Sequence, residues 1–211
     1  MKIKHVGHAS FIIETGGKTI FTDPYDEAVG YPIYKQPVDV VTVSHEHGDH
    51  NAVQLLTGSF EVIRDLAGGQ VGDIKFSGTA SWHDDNQGQD RGNNIIFKIE
   101  TEGLNLVHLG DLGVLLTPEQ VQAIGAVDIL LVPVGGFYTI DAGQAWEVVK
   151  QLNPRIVIPM HYKTFRNEGW PIAPLEEFLA LTASAVKKAE LVITKDSLPA
   201  EQEVIVLEEI A

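Results

Sequence analysis

The chain has 211 residues, 44% of them hydrophobic, which is enough to bury the core of one globular domain spanning 1–211. Its formal net charge of −14, from 29 acidic and 15 basic residues, counts against a nucleic-acid backbone or an anionic membrane surface as partner. There is no cysteine, which excludes disulfides, thiolate-bound zinc and Fe–S clusters.

The opening "MKIKHVGHASFIIETGG" has only a three-residue apolar run before a charge, and no stretch approaches the ~18 apolar residues of a membrane helix. No secretory signal is expected, and a cytoplasmic location is the reading that follows. Residues 9–23 read as two strands joined by a Gly-Gly turn. "VDVVTVS" (38–44) is a near-continuous β-branched run, the pattern of a strand buried on both faces. "NAVQLLTG" then suggests a short helix, with Asp49 or Asn51 as its cap. Further strands are expected near 60–64, 71–82 and 94–100.

The second half begins again. "FKIETEGLNLVHLGD" (97–111) echoes "FIIETGGKTIFTD" (11–23), and "VDILLVPVGG" (127–136) echoes "VDVVTVSHEH" (38–47). Two echoes in one order suggest internal duplication of a hairpin–strand–helix unit. Helices are expected at 117–125, with Thr117 as cap and Pro118 in the first position, and at 141–152 and 173–188. "RIVIPMHY" (155–162) reads as a buried strand, with two more near 190–194 and 203–208. The pattern predicts an α/β fold of two face-to-face sheets with helices outside, a four-layer α/β/β/α sandwich.

The unusual segment is "HEHGDH" at 45–50. His45 and His47 are two apart in extended chain, so both can reach one metal. Glu46, between them, points away. Asp49 and His50 come as the chain turns at Gly48 and point elsewhere, so one ion cannot readily use all four donors, but two adjacent ions can. Chance alone would produce this spacing in roughly one such chain in a thousand. The remaining donors belong at strand ends on the same edge, and His83, Asp111 and His161 qualify. His108, inside a strand, competes with Asp111 but is open to simple core packing. His5 reads as structural. His8 is either structural or substrate-facing.

"HEHGDH", His83, "HLGD" and "PMHY" together resemble the ordered motifs of the metallo-β-lactamase superfamily. The opening hairpin, "TDP", Arg-Gly-Asn at 91–93, "VPVGGFYTID" and "IPMHYKTF" are similar to its small-hydrolase branch that includes the L-ascorbate-6-phosphate lactonase. "HGDH" also occurs in the tRNA 3′-processing endonucleases. The resemblance implies that His45, His47 and His83 hold one metal, that Asp49, His50 and His161 hold a second, and that Asp111 bridges them. It also implies a metal-dependent hydrolase in which hydroxide shared by two divalent ions attacks a small ester, lactone or phosphoester. Zinc is the first expectation for both ions, with Mn2+, Fe or Ni2+ admitted by the donor set.

Asp49 and Asp111 are the expected catalytic carboxylates. Asp23 is a candidate acceptor for the second N–H of a ligand histidine. Arg91, Lys163 and Arg166 are scarce cations suited to an anionic substrate group, and His8 joins Arg91 and Lys163 as a substrate-side candidate. Tyr138, Thr139 and Trp170 are expected near the rim. The expected partner is a small molecule, anionic ones included, with neither nucleic acid nor membrane, and a homo-oligomer is compatible with the chain. The competing classes are a nuclease, a di-iron redox enzyme and a metal-binding protein without catalysis. Against the redox class, the oxygen-reducing relatives carry Glu in place of His47 and need a flavin-binding partner domain.

Overall fold

The computed structural model describes residues 1–210. Fourteen strands run in chain order: β1 (Lys2–Gly7), β2 (Ser10–Thr15), β3 (Lys18–Thr22), β4 (Val40–Thr42), β5 (Glu61–Ile63), β6 (Gly69–Val71), β7 (Ile74–Trp82), β8 (Asn93–Thr101), β9 (Leu104–His108), β10 (Ile129–Pro133), β11 (Ile156–Met160), β12 (Ala185–Lys188), β13 (Leu191–Val192) and β14 (Glu203–Leu207). Three helices are interspersed: α1 (Pro118–Ile124), α2 (Ala142–Leu152) and α3 (Leu175–Leu179). The strands form two sheets, ordered β13-β1-β2-β3-β4-β5 and β12-β14-β11-β10-β9-β8-β7-β6.

Alternation along each strand sorts its side chains between two faces. Phe11, Ile13, Ile20 and Val40 of the first sheet meet Phe97, Leu106, Leu131 and Ile158 of the second in the core between sheets. The second sheet turns Val107, Leu130, Val132 and Val157 outward against α1 to α3. Strands covered on both sides must be apolar throughout, which is why β10 and β11 have no polar position. Across the first sheet, the outer layer consists of coil and the 3-10 turns Glu27–Val29 and Val53–Leu55, packing Tyr25, Val29 and Tyr31 on Ile12, Phe21 and Val41.

The duplication is visible in the pairing. β2 pairs antiparallel with β3 and β3 parallel with β4; β8 pairs antiparallel with β9 and β9 parallel with β10. Matching hydrogen bonds recur: Thr19 N–H donates to Asp39 Oδ2 at 2.8 Å, and Asn105 N–H to Asp128 Oδ2 at 2.8 Å. Both long helices begin as expected, with capping boxes at Thr117/Gln120 and Asp141/Gln144.

Three local expectations are corrected. "NAVQLLTG" forms only the 3-10 turn Val53–Leu55, because Asn51 donates instead to Glu46 at 3.0 Å and Asp49 faces the histidines. The stretch 71–82 is broken at Gly72 (φ 60°), which turns β6 back on β7. The helix expected at 173–188 stops at Leu179, and Ala185–Lys188 instead lies parallel to β14 at the sheet edge, its main chain satisfied by that ladder. Among the described residues no helix is long and apolar enough to cross a membrane.

Candidate metal centre

The donors gather where strands end. His8, Asp23, His83 and His161 are each the first residue past β1, β3, β7 and β11, and Asp111 lies three past β9. The segment 45–50 follows β4. Asp111 is the hub: His50 Nε2 lies 3.2 Å from its Oδ1, and His83 Nε2, His161 Nε2 and His45 Nε2 lie 3.3, 3.3 and 4.0 Å from its Oδ2. His47, exposed, packs edge-on to His45 at 4.7 Å between ring centroids and lies 5.1 Å from the His83 ring. Donor atoms of His45, His47 and His83 fall within 4.8 Å of one another, and so do those of His8, Asp49, His50 and His161. All seven expected ligands are thus together, in two groups joined at Asp111. Glu46 is turned out to solvent, pairing with Arg64 at 3.4 Å.

The polar residues behind the cluster fix its proton positions. His50 Nδ1–H donates to Asp23 Oδ2 at 2.8 Å, leaving Nε2 facing Asp111. Ser44 Oγ–H donates to the same Asp23 oxygen, so it accepts from His45 Nδ1–H at 3.0 Å and leaves His45 Nε2 bare. Asp23 in turn accepts from Ser44 N–H at 2.8 Å and is wholly buried. Asn94 anchors the other hub, accepting from Asp111 N–H at 2.9 Å while donating to Leu109 O and Ser81 Oγ at 2.8 Å. Gly110, at φ 56°, provides the left-handed turn that brings Asp111 in, and a side chain there would collide with Asn94 and Ser44. At Gly48 a Cβ would press on the Asp26 carboxylate, which would have to swing aside.

Burial opposes ionisation of Asp111, but His161 and His50 outweigh it and hold the carboxyl well below its ordinary range. The same balance, with His50 and the hydrogen bond to His8 opposing burial, depresses Asp49. Burial also disfavours charge on His50, yet Asp111 and Asp49 raise it well above 6.5. Burial and then His50 push His45 down to about 3, and burial and then His161 push His8 down to about 4. His45 and His8 are therefore neutral beside ionised Asp49 and Asp111, with the charge on His50. His45 Nε2, His50 Nε2 and Asp111 Oδ1 are buried without a hydrogen-bond partner. Orphaned donors of this kind, imidazole nitrogen and carboxylate oxygen, fit divalent cations.

A cleft of about 430 Å3 opens onto the cluster, lined by His47, Asp49, His83, Asp111, Arg91, Tyr138 and Trp170 among others. Arg91 is held there by its loop. The buried Asp84 carboxylate accepts from the backbone N–H groups of Asn86, Gly88, Asp90 and Arg91 at 2.7–3.1 Å. The guanidinium lies 5.7 Å from the Tyr138 ring centroid and 5.9 Å from that of Phe137. Thr139, buried, donates to Ile140 O and lines a smaller neighbouring cavity with Arg91.

Two substrate-side expectations are corrected. His8 is 2% exposed and sits beneath the cleft, its Nε2 3.3 Å from Asp49 Oδ2. Lys163, whose backbone bonds to Ala173 O, lines a separate cavity with Arg166 and Glu209. His5 and His108 are structural, their Nε2 atoms facing His8 O at 3.0 Å and Ala9 O at 2.8 Å. The residues missed from sequence are Ser44 and Asn94. Ser44 adjoins the hexad, and Asn94 is a polar residue in a type of element that disfavours Asn.

The sequence pattern of the beta-lactamase superfamily domain matches residues 2–161. A metal-dependent hydrolase of the UPF0173 family from Pyrococcus abyssi is 31% identical over 92% of this chain and 96% of its own. One from Pelotomaculum thermopropionicum is 32% identical over 95% and 98%. The crystal structure of a Thermotoga maritima protein, assigned to the Zn-dependent hydrolases of the metallo-β-lactamase superfamily, superposes with a TM-score of 0.83 at 41% identity, covering 98% of each chain. With the donor cluster at the strand ends and this likeness along nearly its whole length, the chain belongs to the metallo-β-lactamase superfamily, as one of the UPF0173 metal-dependent hydrolases.

Proposed function

We propose that this hydrolase works with two divalent cations, an outer one held by His45, His47 and His83 and an inner one held by Asp49, His50 and His161, with Asp111 shared. The observation that supports this reading is Asp111, whose two oxygens face histidines of both groups at 3.2–4.0 Å. When bound, the pair supplies an activated water and polarises the acyl or phosphoryl oxygen under attack. Zinc is the first candidate, as in the description of the Thermotoga relative, and manganese, iron and nickel suit the same donors.

The chain's own residues do the rest. Asp49, ionised at neutral pH and reaching the cleft, orients the attacking water and takes its proton. Asp23, directly and through Ser44, holds the His50 and His45 rings with Nε2 forward. Arg91 binds an anionic substrate group, against a wall formed by Tyr138 and Trp170. The substrate class is a small ester, lactone or phosphoester bearing negative charge; the similarity of "VPVGGFYTID" and "IPMHYKTF" to the lactonase branch supports including lactones. The net charge of −14 weighs against nucleic acid.

The test is a panel of phosphorylated lactones, cyclic phosphodiesters and simple esters, run with metal-loaded and chelated protein. Turnover is expected with at least one anionic member, abolished by chelation. A fully loaded protein that turns over none of them would favour a sensor or storage role instead.

A further inference from the structure

His8 stands outside the seven-donor scheme, yet its placement matches that of His161. Each is the first residue past its strand, and each has a left-handed backbone, φ 56° and 53°. That conformation is unfavourable for a non-glycine residue and persists where the surroundings impose it, commonly at functional sites. The two positions are tied together: His161 N–H donates to His8 O at 3.0 Å, and the ring centroids are 4.1 Å apart.

The ring of His8 is arranged as the cluster histidines are. Its side chain is 0% exposed, so it is not placed to meet substrate. His5 and His108 direct a ring nitrogen at a backbone carbonyl. His8 does not: its Nε2 points into the cluster, 3.3 Å from Asp49 Oδ2, and its Nδ1 has no partner. His83 and His161 show the same pattern, with Nε2 3.3 Å from Asp111 Oδ2 and Nδ1 unpartnered. Two donors about 2.1 Å from one ion, in adjacent positions, lie roughly 3.0–3.4 Å apart. His8 and Asp49 are at that separation, and with His50 and His161 they offer four donor atoms all within 4.8 Å of one another.

We propose that His8 is a ligand of the inner cation, beside Asp49, His50 and His161, with Asp111 as the fifth donor. The proposal rests on the two-cation reading above. It makes the two positions unequal. The inner cation has five protein donors and the outer has four. The cleft is lined by His47 and His83 of the outer set, by Asp49 of the inner set and by the shared Asp111, whereas His8, His50 and His161 do not line it. With fewer protein donors, the outer cation would keep more positions for water and substrate.

The competing role for His8 is a hydrogen bond that orients Asp49. Cobalt(II) separates the two, because four-coordinate cobalt absorbs visible light more strongly than five-coordinate cobalt. Metal-free wild type, His8→Ala and His8→Gln are titrated with cobalt, followed by equilibrium dialysis and absorption, with circular dichroism to verify folding. The wild type is expected to bind two cobalt ions per chain. In the variants the second ion should bind more weakly and absorb more strongly at saturation, or be lost altogether; because loss of an orienting partner alone already costs about 10–100-fold, weakening without the spectral change counts against ligation. His8→Gln keeps a hydrogen-bond donor and most of the volume, so it remains informative if the alanine variant does not fold. Two bound cobalt ions with an unchanged spectrum in His8→Gln would overturn ligation, whatever the change in affinity. A wild type that binds fewer than two would overturn the two-cation reading and this proposal with it.

Discussion

The strands β2 to β4 and β8 to β10 repeat one pairing scheme, and past β4 and β10 the two copies part company. After β4 the chain runs Ser44-His45-Glu46-His47-Gly48-Asp49-His50, a segment dense with donors. After β10 it runs Val134-Gly135-Gly136. A side chain at Gly135 would strike the backbone carbonyl of His161. The second copy thus clears space at its strand end, and the next strand, β11, delivers a single donor there. The candidate centre is correspondingly lopsided: the first copy contributes a continuous segment, and the second sheet contributes His83, Asp111 and His161 one strand end at a time.

If that division holds, removing the hub contributed by the second sheet should do the most damage. Asp111→Ala is expected to lower turnover by about 10³-fold or more, the scale of several kcal/mol of lost metal catalysis, and to reduce metal retained per chain while circular dichroism stays native. Survival of activity would show that Asp111 does not join the two donor groups. Next in size is Asp23→Asn, which removes the charge and one of the two acceptor oxygens behind His45 and His50 and leaves the second-sheet donors untouched. Metal affinity should fall about 10–100-fold by competition with a chelating indicator, and an unchanged affinity would show that the hexad holds its own shape.

Asp39 and Asp128 allow the copies to be compared away from the metals. Both accept a main-chain N–H at 2.8 Å and a lysine, Lys18 at 3.0 Å for Asp39 and Lys195 at 2.8 Å for Asp128, but Asp128 also takes the Asn105 amide and is buried, while Asp39 is only partly so. Asp128→Ala should cost about 1–3 kcal/mol in urea unfolding and Asp39→Ala about 1 kcal/mol or less; equal costs would mean that burial does not distinguish the two. The smallest effect is in the pH dependence of these penalties. Burial opposes ionisation of Asp128 but Lys195 and Asn105 prevail, and Thr19 and Lys18 act on Asp39, so both carboxyls fall below 3.8. A depressed folded pKa gives stability that is present above the unfolded value and lost as pH falls through the folded one. Both penalties should therefore shrink below pH ~4, and a penalty independent of pH would exclude the carboxylate charge as its source.

Much of the centre could be read from the residues because its donors are chemically rare and sit where buried strands stop. That the seven candidate donors meet at one edge, and that Glu46 turns outward, follows from spacing, alternation and the family resemblance. His8 and Lys163 did not, since neither "VGHASF" nor "MHYKTF" states whether a side chain turns above or beneath its strand end. Helix propensity misled at 173–188, where the parallel ladder with β14 outweighs the local preference of Ala185–Lys188. The layer over the first sheet is less legible, because Tyr25, Val29 and Tyr31 cover it from coil and a 3-10 turn that carry no helical periodicity.

Asp23 carries a consequence for how the two positions can vary. One carboxylate oxygen accepts from His50 directly and from Ser44, which in turn accepts from His45, so a histidine from each proposed cation position answers to the same anchor. A change at that one buried anchor would therefore disturb both positions together, and neither could be retuned through it without the other.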